Sequence, residues 1–136
     1  MKPRSTGLIA VLALGCASGS GSAEPPVVVV RNLSGVDLAV VSLRVSGKDS
    51  LKNRIGAVSP VRRGTTAVFT RPTSRPRLPS EVEVDWIDHQ GGRYSERVSL
   101  KQALREATGE ITEALVFEIG PSGTIRVYCE RSEQGR

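Results

Sequence analysis

Between Ser80 and Leu100 polar and apolar side chains alternate with period two, and the alternation is broken once. Glu81-Val82-Glu83-Val84-Asp85-Trp86-Ile87-Asp88 sets acidic residues against apolar ones, the pattern of a strand buried on one face. His89-Gln90-Gly91-Gly92 interrupts it. Arg93 to Leu100 resumes it, with Tyr94, Val98 and Leu100 on one parity and Ser95, Arg97 and Ser99 on the other. This predicts a hairpin in a half-buried antiparallel sheet, and the hairpin carries the only Trp of the chain.

The same reading extends along the chain. Val27 to Val30 begins a first strand with Arg31 and Asn32 near its end. Ser34-Gly35 is a turn signal, and Val36 to Ser46 is a return strand. Within that return strand Val36, Leu38 and Val40 share one parity while Val41, Leu43 and Val45 share the other. A bulge, or a strand crossing between sheets, would account for the switch. Gly47 to Asn53 reads as polar loop, Arg54 to Val58 as a short strand closed by Ser59-Pro60, and Thr65 to Thr70 as a strand after the Arg62-Arg63-Gly64 turn. Arg71 to Pro79, with three prolines and three arginines, reads as an extended loop. The helical signal is short: Ser99-Leu100-Lys101-Gln102 fits a capping box, Leu100, Ala103, Leu104 and Ala107 recur at helical spacing, and Gly109 stops it. Thr112 to Ile119 and Thr124 to Glu130 predict a last hairpin across Gly120-Pro121-Ser122-Gly123, with Leu115, Phe117 and Ile119 facing Ile125, Val127 and Cys129.

Seven or eight short strands, with turns about every 8–12 residues, predict an all-β fold: an antiparallel β-sandwich with an immunoglobulin-like layer arrangement and one short helix. A small β-barrel is the alternative topology. Trp86, Val84, Val98, Phe117 and Val127 are the expected core. Aromatics make up 4% of the 136 residues, so aliphatic side chains must fill most of that core, and the length allows one domain.

The N-terminus changes the picture. Met1-Lys2-Pro3-Arg4 is a short positive segment, and Leu8 to Leu14 is an apolar run before Gly15-Cys16. That is the layout of a secretory signal, and it falls well short of the roughly 20 residues a membrane-spanning helix needs. Leu12-Ala13-Leu14-Gly15-Cys16 resembles the lipobox of bacterial lipoproteins, with Ala13 where that family usually has Leu. The resemblance implies cleavage before Cys16 and acylation of the new terminal cysteine, anchoring the chain to a membrane. Ala17 is not the Asp associated with inner-membrane retention in some bacteria, so the resemblance points to an outer membrane, facing the periplasm, where the cell has one. The competing reading is an ordinary signal cut near Ala23, giving a secreted or periplasmic soluble protein. The expected division is a signal over residues 1–15, a Ser/Gly/Pro tether over 16–25, a domain over 26–132 and a tail over 133–136. The domain itself resembles no family by any motif.

Candidate chemistry is sparse. Cys16, if acylated, leaves Cys129 unpaired; its parity with Ile125 and Val127 reads as a buried, inert thiol. Asp85, Asp88, His89 and Glu96 lie near one hairpin and imitate an acid–base or metal cluster. Asp85, however, belongs to the polar face with Glu81 and Glu83, and Asp88 and His89 fall at a turn where Asp caps the backbone. Zinc wants more His and Cys than this chain has, so no metal or cofactor is expected. There is no nucleophile motif and no phosphate-cradling loop. Trp86 and Tyr94 would make a sugar-stacking platform only if exposed, whereas parity puts Trp86 in the core. Too few aromatics are exposed for a nucleic-acid partner.

Charge is distributed unevenly. The formal net charge is +5. Between Lys48 and Arg77 eight basic side chains stand against Asp49 alone, and from Leu78 onward acidic residues predominate. Arg62, Arg63, Arg71, Arg75 and Arg77 are therefore the candidate contacts to anionic lipid, an anionic envelope polymer or an acidic protein. The expected function is a membrane-anchored, non-catalytic envelope binding module. The alternatives are a periplasmic inhibitor or immunity-type protein acting through the Arg71–Pro79 loop and, with least support, a hydrolase using Asp85, Asp88 and His89.

Overall fold

The computed structural model describes residue 25 and residues 27–46, 54–70, 77–109 and 112–131. Among them are eight strands and one helix: β1 (Val27–Asn32), β2 (Leu38–Val45), β3 (Arg54–Val58), β4 (Thr66–Val68), β5 (Glu81–Asp88), β6 (Arg93–Ser99), α1 (Lys101–Glu106), β7 (Glu113–Ile119) and β8 (Ile125–Arg131). They form two four-stranded sheets. One has the order β4-β1-β7-β8 and the other β3-β2-β5-β6. The fold is a β-sandwich, and the described strands do not close into a barrel.

The expected hairpin at Ser34-Gly35 does not form, because β1 and β2 belong to different sheets. Asn32 explains the departure. Its side chain is fully buried, its amide donates to the carbonyls of Val36 (2.8 Å) and Val61 (3.1 Å), and its oxygen accepts the backbone N–H of Ser34 (3.0 Å). A side chain bonded to its own loop turns the chain across the sandwich instead of back along the same sheet. β1 then pairs parallel with β7 and antiparallel with β4. Such a central position suits the Val27–Val30 run, since Val28, Val29 and Val30 are all buried.

The parity switch in β2 is a bulge. Leu38 opposes Asp88 and Val40 opposes Ile87, so one extra residue at Ala39 lets both Leu38 and Val41 reach the core. The β5–β6 and β7–β8 hairpins both form, and in the second Leu115, Phe117 and Ile119 face Cys129, Val127 and Ile125 as expected. Val84, Trp86 and Phe117 are buried, while Val98 and Val127 are half-buried at the margin of the core. Phe69 meets Phe117 edge-on, with centroids 6.0 Å apart.

The helix has six residues and lacks the expected capping box. Its N-cap is Leu100, which is itself buried. Ser99 Oγ accepts the Lys101 N–H at 3.3 Å, and Gln102 turns to Glu106 instead of back to the cap. Leu100 N–H donates to the Ser80 carbonyl (2.7 Å), which ties the helix to the start of β5. The helix thus covers one end of the sandwich, and the other end holds the β5–β6 turn. Pro25 is buried, so the packed domain includes one residue assigned above to the tether. The leader, Cys16 and the segments 47–53 and 71–76 lie outside the described residues.

Candidate functional site

The end of the sandwich opposite the helix is organised by Asp88. Its Oδ1 accepts the backbone N–H groups of Gln90 (2.9 Å) and Gly92 (2.8 Å), and its Oδ2 accepts the Tyr94 hydroxyl (3.2 Å). The Gly92 N–H is the main reason the Asp88 carboxyl titrates below the ordinary carboxylate range, and the bond to Asp88 pushes the Tyr94 phenol up. Gly91 takes a positive φ of 90°, which the tight turn requires. Gly92 is needed for room: a Cβ there would lie 2.8 Å from Asp88 Oδ2 and 3.0 Å from Tyr94 Oη.

Tyr94, held at its hydroxyl, stacks on Trp86, with centroids 5.5 Å apart and planes 14° apart. The two residues are direct cross-strand partners, a placement that favours aromatic pairing. Their exposures differ sharply: Trp86 is 4% exposed and Tyr94 47%. The core reading of Trp86 therefore holds, while the ring stacked on it is left open to solvent. Because β6 is an edge strand, its inward parity is only partly covered.

Beside Tyr94 is a cleft of about 430 Å³ between the sheets. The hairpin contributes Trp86, Asp88, Tyr94, Ser95 and Glu96, the β1–β2 loop contributes Ser34, Val36 and Leu38, and the β7–β8 turn contributes Ile119, Pro121, Ser122 and Gly123. Its lining is half apolar wall and half hydroxyl and carboxylate groups, and it includes no Lys or Arg. No described residue bonds to the Glu96 carboxylate. Pockets for small molecules are of this kind, an apolar body with a few placed polar groups.

Gly92→Ala tests the Asp88 lock. The added methyl will push the Asp88 carboxylate off the Tyr94 hydroxyl, so the Tyr94 phenol should titrate closer to its ordinary 10.0 than in the wild type. Ultraviolet difference titration of the two proteins measures this, and an unchanged phenol titration would mean the lock does not depend on Gly92.

The other candidates are dispersed. Asp85 lies on the opposite face of β5, where Arg44 Nε meets it at 2.6 Å and Ser95 Oγ donates to it at 2.7 Å; Arg44 also pairs with Glu83 at 2.9 Å. His89 is exposed at the turn, its backbone N–H donates to the Asp37 carbonyl (3.1 Å), and it does not line the cleft. Asp85, Asp88 and His89 thus do not converge, and among the described residues no group of three or more His, Cys, Asp or Glu side chains is placed to hold a metal ion. Cys129 is half-buried, not buried, with its Sγ 3.2 Å from the Ala103 carbonyl oxygen, and burial pushes its thiol up.

The basic residues do not form one described surface. Arg62 and Arg63 are exposed beside Val61, which bridges Leu38 at the cleft end. Arg77 is exposed shortly before Ser80, at the helix end, the full length of β5 away. Arg71 and Arg75 lie outside the described residues, as does most of the Arg71–Pro79 loop. What sequence reasoning missed is the far wall of the cleft. Ser34, Pro121 and Ser122 come from loops distant in sequence, and no local pattern announces that they face Tyr94.

No family model matches the sequence, and no curated protein matches it. A solved structure, described as the NMR structure of the protein from Eubacterium rectale, is similar over 88% of this chain and 99% of that chain, with 10% identity and a TM-score of 0.42. At that level the likeness assigns neither fold nor function.

Proposed function

We propose that this chain is a non-catalytic binding module of the cell envelope, held to a membrane through an acyl chain on Cys16, with its ligand site in the cleft beside Tyr94. The observation that carries the reading is the fixed, half-exposed Tyr94 ring: it is backed by Trp86, locked by Asp88 and set in a concavity. A ring held in place without its ligand gives up little freedom on binding, which is what a recognition site gains from preorganisation. The non-catalytic part rests on the two aspartates of the hairpin already being engaged. Asp88 holds the hairpin, and Asp85 holds Arg44 and Ser95. A Ser/Gly-rich tether behind a lipidated cysteine would present such a cleft away from the bilayer. Arg62 and Arg63, exposed at the same end, would assist attraction to an anionic envelope.

Two measurements test this. Metabolic labelling with a fatty acid should mark the wild-type chain and not Cys16→Ser; an unlabelled wild type overturns the anchor. The full chain carrying Cys16→Ser should still co-sediment saturably with delipidated envelope polymer, and absence of saturable association overturns the binding module.

A further inference from the structure

We infer that the cleft takes an uncharged saccharide, with one sugar ring lying on Tyr94 and its hydroxyls bonded to Glu96 and Ser122. This deepens the binding-module reading and rests on it. Three features of the cleft together select this chemistry. First, Tyr94 has one face against Trp86 and remains 47% exposed, so a flat, partly electronegative ring face is available. The C–H face of a pyranose carries the complementary partial positive charge, and it stacks on such a ring without needing an aromatic ligand. Second, the polar lining is rich in acceptors. Glu96, when ionised, can only accept, and no described residue bonds to it; the Ser122 hydroxyl both donates and accepts. A polyol supplies many O–H donors at the rim of a ring, which matches acceptors set around a stacking surface.

Third, charge excludes the other polar ligands. Asp88 and Glu96 line the cleft, and no Lys or Arg does. A phosphate, sulfate or uronate would enter against two carboxylates with no cation in the lining to offset them; Arg62 and Arg63 lie at this end but outside the lining, and Arg93 borders a separate hollow beside the same rings. A compact cation would leave Val36 and Pro121 without contacts, although they form the exposed apolar part of the wall. A neutral ring with one apolar face uses both halves of the lining. At about 430 Å³ the cleft is large enough for a short stretch of saccharide, and its open side would let a longer chain continue past it.

Trp86 is the only Trp of the chain and lies directly under Tyr94, so its fluorescence reports on the site. The full chain, in a detergent without sugar headgroups, would be titrated with tetramers of N-acetylglucosamine and of glucose, with a galacturonate tetramer as the anionic comparison. At least one neutral tetramer should give a saturable change, with the galacturonate tetramer about tenfold or more weaker. Tyr94→Ala should weaken neutral binding about tenfold, the loss expected for one stacked ring. Tyr94→Phe should retain most of it. Ser122→Tyr, on the exposed opposite wall, should block binding without touching the hairpin. Glu96→Gln should narrow the gap between the neutral and galacturonate tetramers. The inference is overturned if no neutral tetramer binds, if galacturonate binds more tightly, or if Tyr94→Ala and Ser122→Tyr bind as the wild type does. Co-sedimentation of Cys16→Ser with envelope polymer separates the two levels. If it persists while no neutral tetramer binds, only the saccharide assignment fails; if it too is absent, the binding module fails with it.

Discussion

Trp86→Ala will lower the stability of the domain by about 3–5 kcal/mol, the range for truncating a large buried aromatic when the surroundings cannot fully collapse. Trp86 sits in β5, the strand next to the edge strand β6, with its ring 4% exposed and packed with Val82 and Val84 along the inner face of the sheet. Collapse is restricted on both sides. Toward the core its neighbours are β-branched side chains fixed by strand geometry, and toward solvent Tyr94 is held at its hydroxyl by Asp88. The cavity would open into the cleft, so water would reach Leu38 and Ile119, both fully buried in the wild type. Chemical denaturation followed by circular dichroism measures the change. Trp86→Phe should recover most of the loss, because it restores a ring under Tyr94 and much of the volume. A Trp86→Ala midpoint equal to that of the wild type would show that the ring bears no packing load.

The fold was largely readable because burial on one face leaves a period-two mark, and each of the eight described strands overlaps a stretch read as a strand. The Trp86 hairpin and the β7–β8 hairpin were legible to within one residue at each strand end, since each strand pairs with its own sequence neighbour across a turn marked by glycines. The pairing of β1 was not. A parallel partner such as β7 is distant in sequence, and nothing in Val27–Val30 names it. The apparent hairpin at Ser34-Gly35 misled for a different reason: a turn dipeptide signals that the chain bends, not which sheet it returns to, and Asn32 decides that through tertiary bonds to Val61. The site was half legible. Asp88 and Glu96 drew notice with Asp85 and His89 as an imitation of an acid–base cluster, and Tyr94 with Trp86 as a stacking pair. Both were set aside, because exposure depends on which strand is an edge. That is a property of sheet order, which alternation does not encode. The +7 stretch from Lys48 to Arg77 shows the same limit. Arg63 and Arg77 both belong to that stretch, yet one lies at the cleft end of the sandwich and the other beside the start of β5 at the helix end.

Glu113 is the second place where one substitution should have a large effect, and here the effect depends on pH. By parity Glu113 belongs with Leu115, Phe117 and Ile119 on the core face of β7, an unusual place for a carboxylate, and it is 4% exposed. Its oxygens accept the Thr108 N–H (2.9 and 3.0 Å), the Thr108 hydroxyl (2.9 Å) and the Gly109 N–H (2.9 Å), and Arg131 lies 4.0 Å away. The carboxylate thereby closes the chain behind α1, satisfying donors that follow the helix end. Burial works to raise its pKa, but the bonds from Thr108 and Gly109, with Arg131, outweigh it and hold the group below its ordinary 4.5. Glu113→Ala should cost about 2–4 kcal/mol near neutral pH, since it removes hydrogen bonds to a charged acceptor and leaves their donors unmet. Glu113→Gln should cost less, because one oxygen and the shape remain. A group whose pKa is lowered by folding contributes stability above its unfolded pKa and loses it as pH falls through the folded one. The stability gap between wild type and Glu113→Gln should therefore be widest at pH values above 4.5 and shrink as the pH drops below it. Asp37 and Asp88 are also held below their ordinary range, so both proteins will weaken in acid, and only the difference between them isolates Glu113. Denaturant titrations of the pair across that range would give the difference directly. A gap that stayed constant would mean that Glu113 acts by packing, and one that widened in acid would mean that it is protonated in the folded state.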